Sequence, residues 1–298
     1  MPSQNAPLIG SLWMFVTGLL FIAVTAIVKW VGSDVPAAQA AFVRYAMGLL
    51  FVVPMIPALR RATIPRLALS LSVLRGAAHT VAIIAWFFAM SRIPIAEVTA
   101  MNYITPLYVT LGAALFLGER ISWMRMSAIG MAILGTLFIL RPGFREVEPG
   151  HLAMLLGTLA FGVSFLTAKP LSSLVSAPVD VALLSIGVTL GLAPIAYVVW
   201  VPIAWQDLVA LFLVAILATA GHYTMTLAFA VAPVSVTQPI TFLQLVWSVA
   251  IGVVFIAEPI DLWVIAGGDM IVIYVVFVAI REAQIAARSQ GSAAERVG

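Results

Sequence analysis

The sequence predicts an all-α polytopic membrane protein, with ten transmembrane helices arranged as two inverted five-helix repeats around a central cavity. Its composition is the first reason. Of 298 residues, 63% are hydrophobic and 9% are charged, which is too little polar surface to cover a soluble domain of this length. The second reason is that the apolar residues fall into ten stretches, each close to the roughly 20 residues that cross a bilayer. The third is an internal repeat.

The two halves of the chain match at a spacing of 140 residues in their first helices and of 139 residues further on. The matched pairs include Gly10 and Gly150, Phe21 and Phe161, Lys29 and Lys169, Pro94 and Pro233, and Glu119 and Glu258. Duplicated halves are typical of secondary transporters, because two similar units that rock against each other give one midplane site two alternative exits.

Charged residues, Pro or Gly lie at the ends of each predicted span. The spans are 9–31, 38–58, 71–91, 95–117, 123–140, 150–170, 179–201, 206–229, 234–256 and 261–281. The first is too long for the core of a signal peptide, so we expect it to be retained. The chain then divides into an N-terminal tail (1–8), a first repeat (9–140), a charged linker (141–149), a second repeat (150–281) and a tail (282–298) that we expect to be disordered and cytoplasmic.

The distribution of basic residues predicts that both termini are cytoplasmic. With ten spans, both ends of the chain lie on one side, and that side carries ten Lys and Arg residues against four on the other. Basic residues favour the cytoplasmic side. Because each repeat has an odd number of spans, the two repeats must have opposite orientations.

Several motifs resemble one transporter family. The run 117–120 (LGER) precedes a helix rich in Gly and Ala, and 257–259 (AEP) repeats it more weakly, without the Gly. The pair Arg44-Tyr45, and Pro94 followed by a span containing Pro106, are further features. Over residues 8–282 the chain resembles the ten-helix EamA type of the drug/metabolite transporter superfamily, and it is most similar to bacterial aromatic amino-acid exporters. The resemblance implies a central cavity lined by spans 1, 3, 4, 6, 8 and 9.

Polar residues of spans four and nine are candidates for the walls of that cavity. Thr237, Thr241, Gln244 and Ser248 are spaced to share one helical face. The repeat maps Thr241 onto Asn102 and Gln244 onto Thr105. These groups either form hydrogen-bonding walls around a substrate or join packed helices to each other. We favour the first interpretation, because the resemblance places both helices at the cavity.

Intramembrane histidines and aromatic rings complete the candidate site. His79 and His222 can bind a carboxylate, exchange a proton or bond neighbouring helices, and rings on the same helices suit aromatic or bulky amphipathic molecules. The predicted substrate-binding residues are His79, Trp86, Met101, Asn102, Tyr103, Thr105, Phe161, Ser164, Phe165, His222, Tyr223, Gln238, Thr241, Phe242 and Gln244.

The remaining charged residues and prolines of the spans receive separate interpretations. We predict that Arg44, Pro106 and Pro239 serve gating or hinge motion, with Arg44 alternatively pairing with Asp34 or Glu97 or reaching the interface. Lys29 and Lys169 are predicted to snorkel to the interface. Glu119 and Glu258 are predicted to cap helices or close loops, and Asp269 is predicted to be protonated or hydrogen-bonded.

Taken together, the residues and the resemblance predict a secondary exporter of small amphipathic metabolites, most of all aromatic or neutral amino acids, in the bacterial inner membrane. Multidrug, nucleobase or sugar export remains the alternative. An intramembrane enzyme is disfavoured because motifs such as HExxH and GxSxG are absent. A passive channel is disfavoured by short loops without a charged ring. We expect no cofactor, metal or nucleic acid, a monomer or weak homodimer, and either proton exchange or facilitated exit.

Overall fold

A computed structural model describes residues 6–32, 34–105, 108, 112, 115, 123–141, 146–231, 243–274 and 276–277. Within these residues the regular secondary structure is helical. The helices are α1 (Ala6–Val31), α2 (Ala37–Gly48), α3 (Ile56–Arg61), α4 (Arg66–Met90), α5 (Ile95–Asn102), α6 (Trp123–Leu140), α7 (Pro149–Leu174), α8 (Ala177–Val198), α9 (Trp205–Val231), α10 (Leu243–Ile256) and α11 (Leu262–Tyr274).

Six of the described segments are long and apolar enough to cross a membrane, and α10 and α11 are shorter apolar helices. The six are Leu8–Val31, Ala37–Arg61, Arg66–Met90, Pro149–Ala168, Pro178–Val198 and Trp205–Met225. A helix satisfies its own backbone hydrogen bonds, which lipid cannot do. Within the described residues the predicted all-α architecture is confirmed, and six of its segments have the length and composition of membrane spans.

The second span is less regular than the sequence predicts. The predicted helix 38–58 is observed as α2, a 3₁₀ segment Leu49–Met55 and the short helix α3. The 3₁₀ segment contains Pro54, which lacks the backbone N–H that an α-helix requires at this position. The third span also starts earlier than predicted, at Arg66 instead of 71.

The packing pattern pairs helices from the two halves of the chain. The most extensive contacts are between α4 and α7 and between α1 and α9. Small residues bring some of these helices close together: a Cβ atom on Gly157 of α7 would lie 3.3 Å from the Cβ of Ala85 on α4. Close approach at small residues is the usual source of stability between membrane helices. Helix α2 packs mainly on α8 and α9.

The bundle has two ends that the loops define. At one end, the Lys29 end, α1 and α4 finish while α5, α7 and α11 begin, and hydrogen bonds join these loops to each other. At the other, the Arg61 end, α3 finishes, α4 and α8 begin, and Arg75 ion-pairs with Asp180. The two ends carry different sets of contacts between the halves.

Ala257, which follows α10, lies in the left-handed region with φ of 57°. Its repeat equivalent is Gly118, so the first half has at this position the residue that this backbone conformation favours. The turn lets the N–H of Glu258 donate to the carbonyl of Gly252 at 2.9 Å.

We expect Ala257→Gly to stabilise the protein by about 1 kcal/mol, because glycine removes the steric cost of the left-handed conformation. Unfolding in mixed micelles measures the change. Ala250→Gly, inside α10, is the matched control and should destabilise by about 1 kcal/mol. Equal destabilisation by both changes would contradict the interpretation.

Candidate functional site

Exposure along α7 separates a lipid-facing stripe from an inward face. Leu152, Leu156, Leu159 and Val163 are all exposed and recur at the spacing of one helical face. The opposite face carries Met154 and Thr158, both fully buried, followed by Phe161 and by Phe165, which is 47% exposed. Phe165 therefore faces the bundle yet is accessible, so space lies inside the bundle beside it.

Helix α9 gives the same result at His222. This residue is exposed, although it follows Leu211, Ala215 and Ala218 on one face, and those three are buried. Its ring contacts Phe21 of α1 edge-to-face, with centroids 5.2 Å apart. His222 thus opens onto internal space on the face that packs towards α1.

Amide side chains are also accessible from the interior. Asn102 is exposed at the end of α5, a helix whose other residues are buried or half-buried. Gln244 of α10 lies against α1, where a Cβ atom on Gly18 would be 3.3 Å from its Cγ. Neutral hydrogen-bonding groups and aromatic rings therefore both reach the interior of the bundle.

His79 joins three helices at the centre of the bundle. Its Nε2 atom is 2.9 Å from the hydroxyl of Tyr45 on α2, and its Nδ1 atom is 3.2 Å from the hydroxyl of Ser164 on α7. His79 and Ser164 are buried. Because hydroxyls both donate and accept, either neutral tautomer satisfies both ring nitrogens, and the ring edge is occupied by protein groups.

The two histidines contact repeat-equivalent rings. His79 lies edge-to-face on Phe161 and His222 lies edge-to-face on Phe21, with centroids 5.2 Å apart in both cases. Phe21 and Phe161 are equivalent at the spacing of 140 residues. Phe161 in turn stacks on Phe165 at 6.0 Å. A continuous aromatic surface therefore runs from the buried His79 to the accessible Phe165.

A second polar cluster closes the Lys29 end. The ammonium of Lys29 is 3.3 Å from Glu258 Oε1 and donates to the carbonyl of Ile93 at 2.6 Å. The other carboxylate oxygen of Glu258 accepts the N–H of Ile95 at 3.0 Å. We call this set of bonds the Lys29 latch. It joins α1 and the start of α5 in the first half to the end of α10 in the second.

Two further pairs of side chains at the same end also join the halves. Glu97 of α5 pairs with His151 of α7, with both side chains buried, and Arg141 pairs with Asp261. His151 also accepts the N–H of Glu148 at its other ring nitrogen, at 3.0 Å. Beside them lies a pocket of about 180 Å³ lined by hydrophobic residues and by the acidic residues Glu97, Glu148, Glu258 and Asp261.

The predicted site residues divide into groups by their surroundings. Phe161, Phe165, His222, Asn102 and Gln244 reach internal space or border it, and Trp86 is half-buried on the face of His79. Met101, Tyr103 and Thr105 are buried in the packing around α5. Tyr223 is 65% exposed and continues the outward stripe of Phe212 and Ile216. Gln238, Thr241, Phe242, Pro106 and Pro239 lie outside the described residues.

Lys29 and Arg44 have surroundings that differ from the predictions. Lys29 does not snorkel, because Glu258 and a backbone carbonyl bind its ammonium inside the bundle. Glu258 accepts a backbone N–H at the start of α5, as expected for a capping residue. Glu97, one of the two partners predicted for Arg44, bonds His151 instead, and the other, Asp34, is exposed. His151 was not among the predicted site residues, although its spacing from Glu148 is that of a capping box.

The fold and these interior groups define a class: a helical membrane protein whose two halves meet around an accessible polar and aromatic interior. Residues 8–141 match the EamA-like transporter family. Among solved structures, one crystal structure aligns with a TM-score of 0.58 and 17% identity, covering 91% of this chain and 98% of that one, which supports the fold alone.

Curated transporters match along most of their length. A riboflavin transporter of Rhizobium johnstonii is 29% identical over 83% of both chains. The pseudopaline exporter of Pseudomonas aeruginosa is 25% identical, over 89% of this chain and 93% of its own. An S-adenosylmethionine uptake transporter of Rickettsia prowazekii is 23% identical, over 76% of this chain and 77% of its own. These matches confirm the resemblance to the drug/metabolite transporter superfamily.

Removing the hydroxyl that bonds His79 should destabilise the fold. We expect Tyr45→Phe to lower the free energy of unfolding by about 1–3 kcal/mol, because it leaves a buried ring nitrogen without its partner. Thermal unfolding in detergent measures this change. Tyr197→Phe, at a residue that is 82% exposed, is the control and should have no effect. An unchanged Tyr45→Phe protein would show that the His79 bonds do not hold these helices together.

Proposed function

We propose that this protein, a small-metabolite transporter of the EamA family, exports aromatic and other neutral amino acids from the bacterial cytoplasm across the inner membrane. The observation that supports the substrate class is the interior surface of Phe161, Phe165 and His222 together with the amides of Asn102 and Gln244. Rings bind an apolar body and amides bind polar groups, which is the combination that pockets for small amphipathic molecules use.

The names of the relatives support alternative substrates. Their names include transporters of riboflavin, pseudopaline and S-adenosylmethionine, both exporters and uptake systems. These names favour metabolites with polar groups over simple hydrocarbons, and they leave drugs, nucleobases and sugars as alternative cargo. Direction follows from the substrate gradient or from proton exchange, either of which can drive a secondary transporter.

The pattern of helix packing favours two inverted repeats. If α1 corresponds to α7 and α4 to α9, then the contact of α4 with α7 corresponds to that of α9 with α1, and these two contacts are the most extensive. The contact of α2 with α9 likewise corresponds to that of α8 with α4. Such pairing is what a pseudo-two-fold axis in the membrane plane produces. We propose the full ten-span topology with both termini in the cytoplasm on this basis.

Alternating access would then result from contacts between the halves that form at one end of the bundle and break at the other. The Lys29 latch, the Arg141–Asp261 ion pair and the Glu97–His151 hydrogen bond join the halves at the Lys29 end, which the basic-residue count assigns to the cell exterior. The repeat equivalents of Lys29, Glu258 and Ile95 are Lys169, Glu119 and Val234. We propose that these equivalents form the reciprocal latch at the Arg61 end, so that one latch forms as the other breaks.

Counterflow in proteoliposomes tests the proposed cargo. Vesicles preloaded with phenylalanine, tryptophan, threonine, glucose, riboflavin or a cationic dye are compared for saturable exchange. We expect the strongest exchange with the two aromatic amino acids. Asn102→Ala combined with Gln244→Ala should lower kcat/KM for them about tenfold or more, because each lost hydrogen bond contributes about 1 kcal/mol.

Gln206→Ala is the matched control, since Gln206 is exposed at the start of α9, and its kcat/KM should not change. Exchange of glucose, riboflavin or the dye without amino-acid exchange would refute the proposed cargo. Aromatic exchange that the double variant leaves intact would refute the proposed walls.

The latches predict opposite effects of two matched lysine changes. The chain has no native Cys, so Ala96→Cys, in the pocket beside the Lys29 latch, reports access to that end by its rate of maleimide reaction in micelles. We expect Lys29→Met to raise this rate severalfold, because the closed end loses its ion pair, and Lys169→Met to lower it, because the alternative state loses the reciprocal one.

An exposed reporter, Asp34→Cys, controls for reagent reactivity and should react at the same rate in both backgrounds. If the two lysine variants shift the rate of the Ala96→Cys reporter in the same direction, the reciprocal latch is wrong.

A further inference from the structure

Arg44 carries a positive charge inside the bundle and has no hydrogen-bonded or ion-paired partner among the residues that the structure describes. It lies in α2 next to Tyr45, with its guanidinium carbon 4.2 Å from the centroid of the Tyr45 ring. One terminal nitrogen of the guanidinium is buried and has no hydrogen-bond partner. Arg44 makes no ion pair with any residue in the described part of the chain. Tyr45 in turn bonds His79, so the charge lies beside the centre of the bundle.

The helices that pack on α2 provide no carboxylate for Arg44. Helix α4 contains no acidic residue, and the others, α8 and α9, carry Asp180 and Asp207. Asp180 is paired with Arg75. Asp207 lies in the first turn of α9, and among the described residues no ion pair joins it to Arg44. Glu97 is occupied by His151.

A lone cation within a span is costly, and such residues face cavities and mark substrate pathways. Arg44 adjoins Tyr45, which bonds His79 at the centre of the bundle, and His222 of α9, a helix that packs on α2, opens onto the interior. A guanidinium offers a planar fork of donors that matches a carboxylate with two parallel hydrogen bonds. The missing counter-charge is thus one that a cargo molecule can supply.

We propose that Arg44 is the anchor for a carboxylate of the transported molecule. The inference rests on the proposed function and narrows it, since the cargo becomes a small organic acid or zwitterion with a planar apolar body. The carboxylate binds Arg44, while the body of the molecule lies against the accessible rings of Phe165 and His222. Neutral sugars and neutral bases then bind the same interior without this anchor.

Matched pairs of carboxylates and amides test the anchor by binding alone. The probes are phenylalanine, 3-phenylpropionate and benzoate, each with its carboxamide, and the readout is the dissociation constant from ligand-dependent thermal stabilisation. The wild type should bind each carboxylate more tightly than its amide. Arg44→Gln should weaken carboxylate binding about tenfold or more while changing amide binding less than about twofold, as expected for a charged hydrogen bond.

Two further variants keep the result interpretable. Arg44→Lys retains the charge without the fork and should recover part of the carboxylate preference. Arg92→Gln is the matched control, because Arg92 also stacks on a ring, with its guanidinium carbon 3.6 Å from the centroid of Phe88, but is exposed. It should leave every dissociation constant unchanged. Melting temperature without ligand establishes that each variant is folded.

The outcomes separate the anchor from the proposed export of amino acids. A wild-type protein that binds no carboxylate more tightly than its amide overturns the anchor, as does a preference that persists in Arg44→Gln. If phenylalanine is not exchanged in vesicles but the organic acids lose affinity in Arg44→Gln, the anchor stands and the amino-acid assignment fails.

Discussion

A bilayer offers no hydrogen-bond partner to a polar group, so each charge that this chain carries into its helices must be satisfied by protein, by water or by cargo. The contacts at the Lys29 end meet this requirement. Lys29, Glu258 and Glu97 are satisfied by groups from the opposite half of the chain. The bonds of these side chains therefore form only when this end of the bundle is closed. Opening it must replace the same bonds with water, which is what makes the end suited to a gate.

Polar groups in the interior of the bundle also need hydrogen-bond partners, and His79 and Arg44 differ in this respect. His79 is fully bonded by Tyr45 and Ser164, so it holds helices together. Arg44 is adjacent to Tyr45, and one terminal nitrogen of its guanidinium is buried without a hydrogen-bond partner in the described part of the chain. His79 therefore has a structural role, whereas Arg44 is available for the proposed binding role. Aromatic rings then extend from the bonded centre to the accessible Phe165, where an apolar body can lie.

The all-α architecture followed from the sequence because burial in lipid imposes long apolar stretches. The resemblance to the superfamily followed from short motifs. Contacts such as the hydrogen bond between Glu97 and His151 could not be predicted, since they depend on which loops meet in space. The break at Pro54 was readable in principle. The position of Tyr223 along its helix did not show whether its side chain lies on the outward or the inward face of the bundle. The position of Lys29 at a helix end did not show whether its ammonium reaches the membrane interface or binds a carboxylate of the protein.

The central claim is that the two ends of the bundle open in alternation. Because the chain has no native Cys, spin labels can be placed on exposed residues of both halves, at Trp30 and Ile260 for the Lys29 end and at Arg61 and Ser176 for the Arg61 end. Pulsed electron resonance in lipid nanodiscs then gives one distance distribution for each end. On replacing Lys29 by Met, the account predicts a longer distance at the Lys29 end and a shorter one at the Arg61 end. Unchanged distances, or both ends moving apart together, would contradict it.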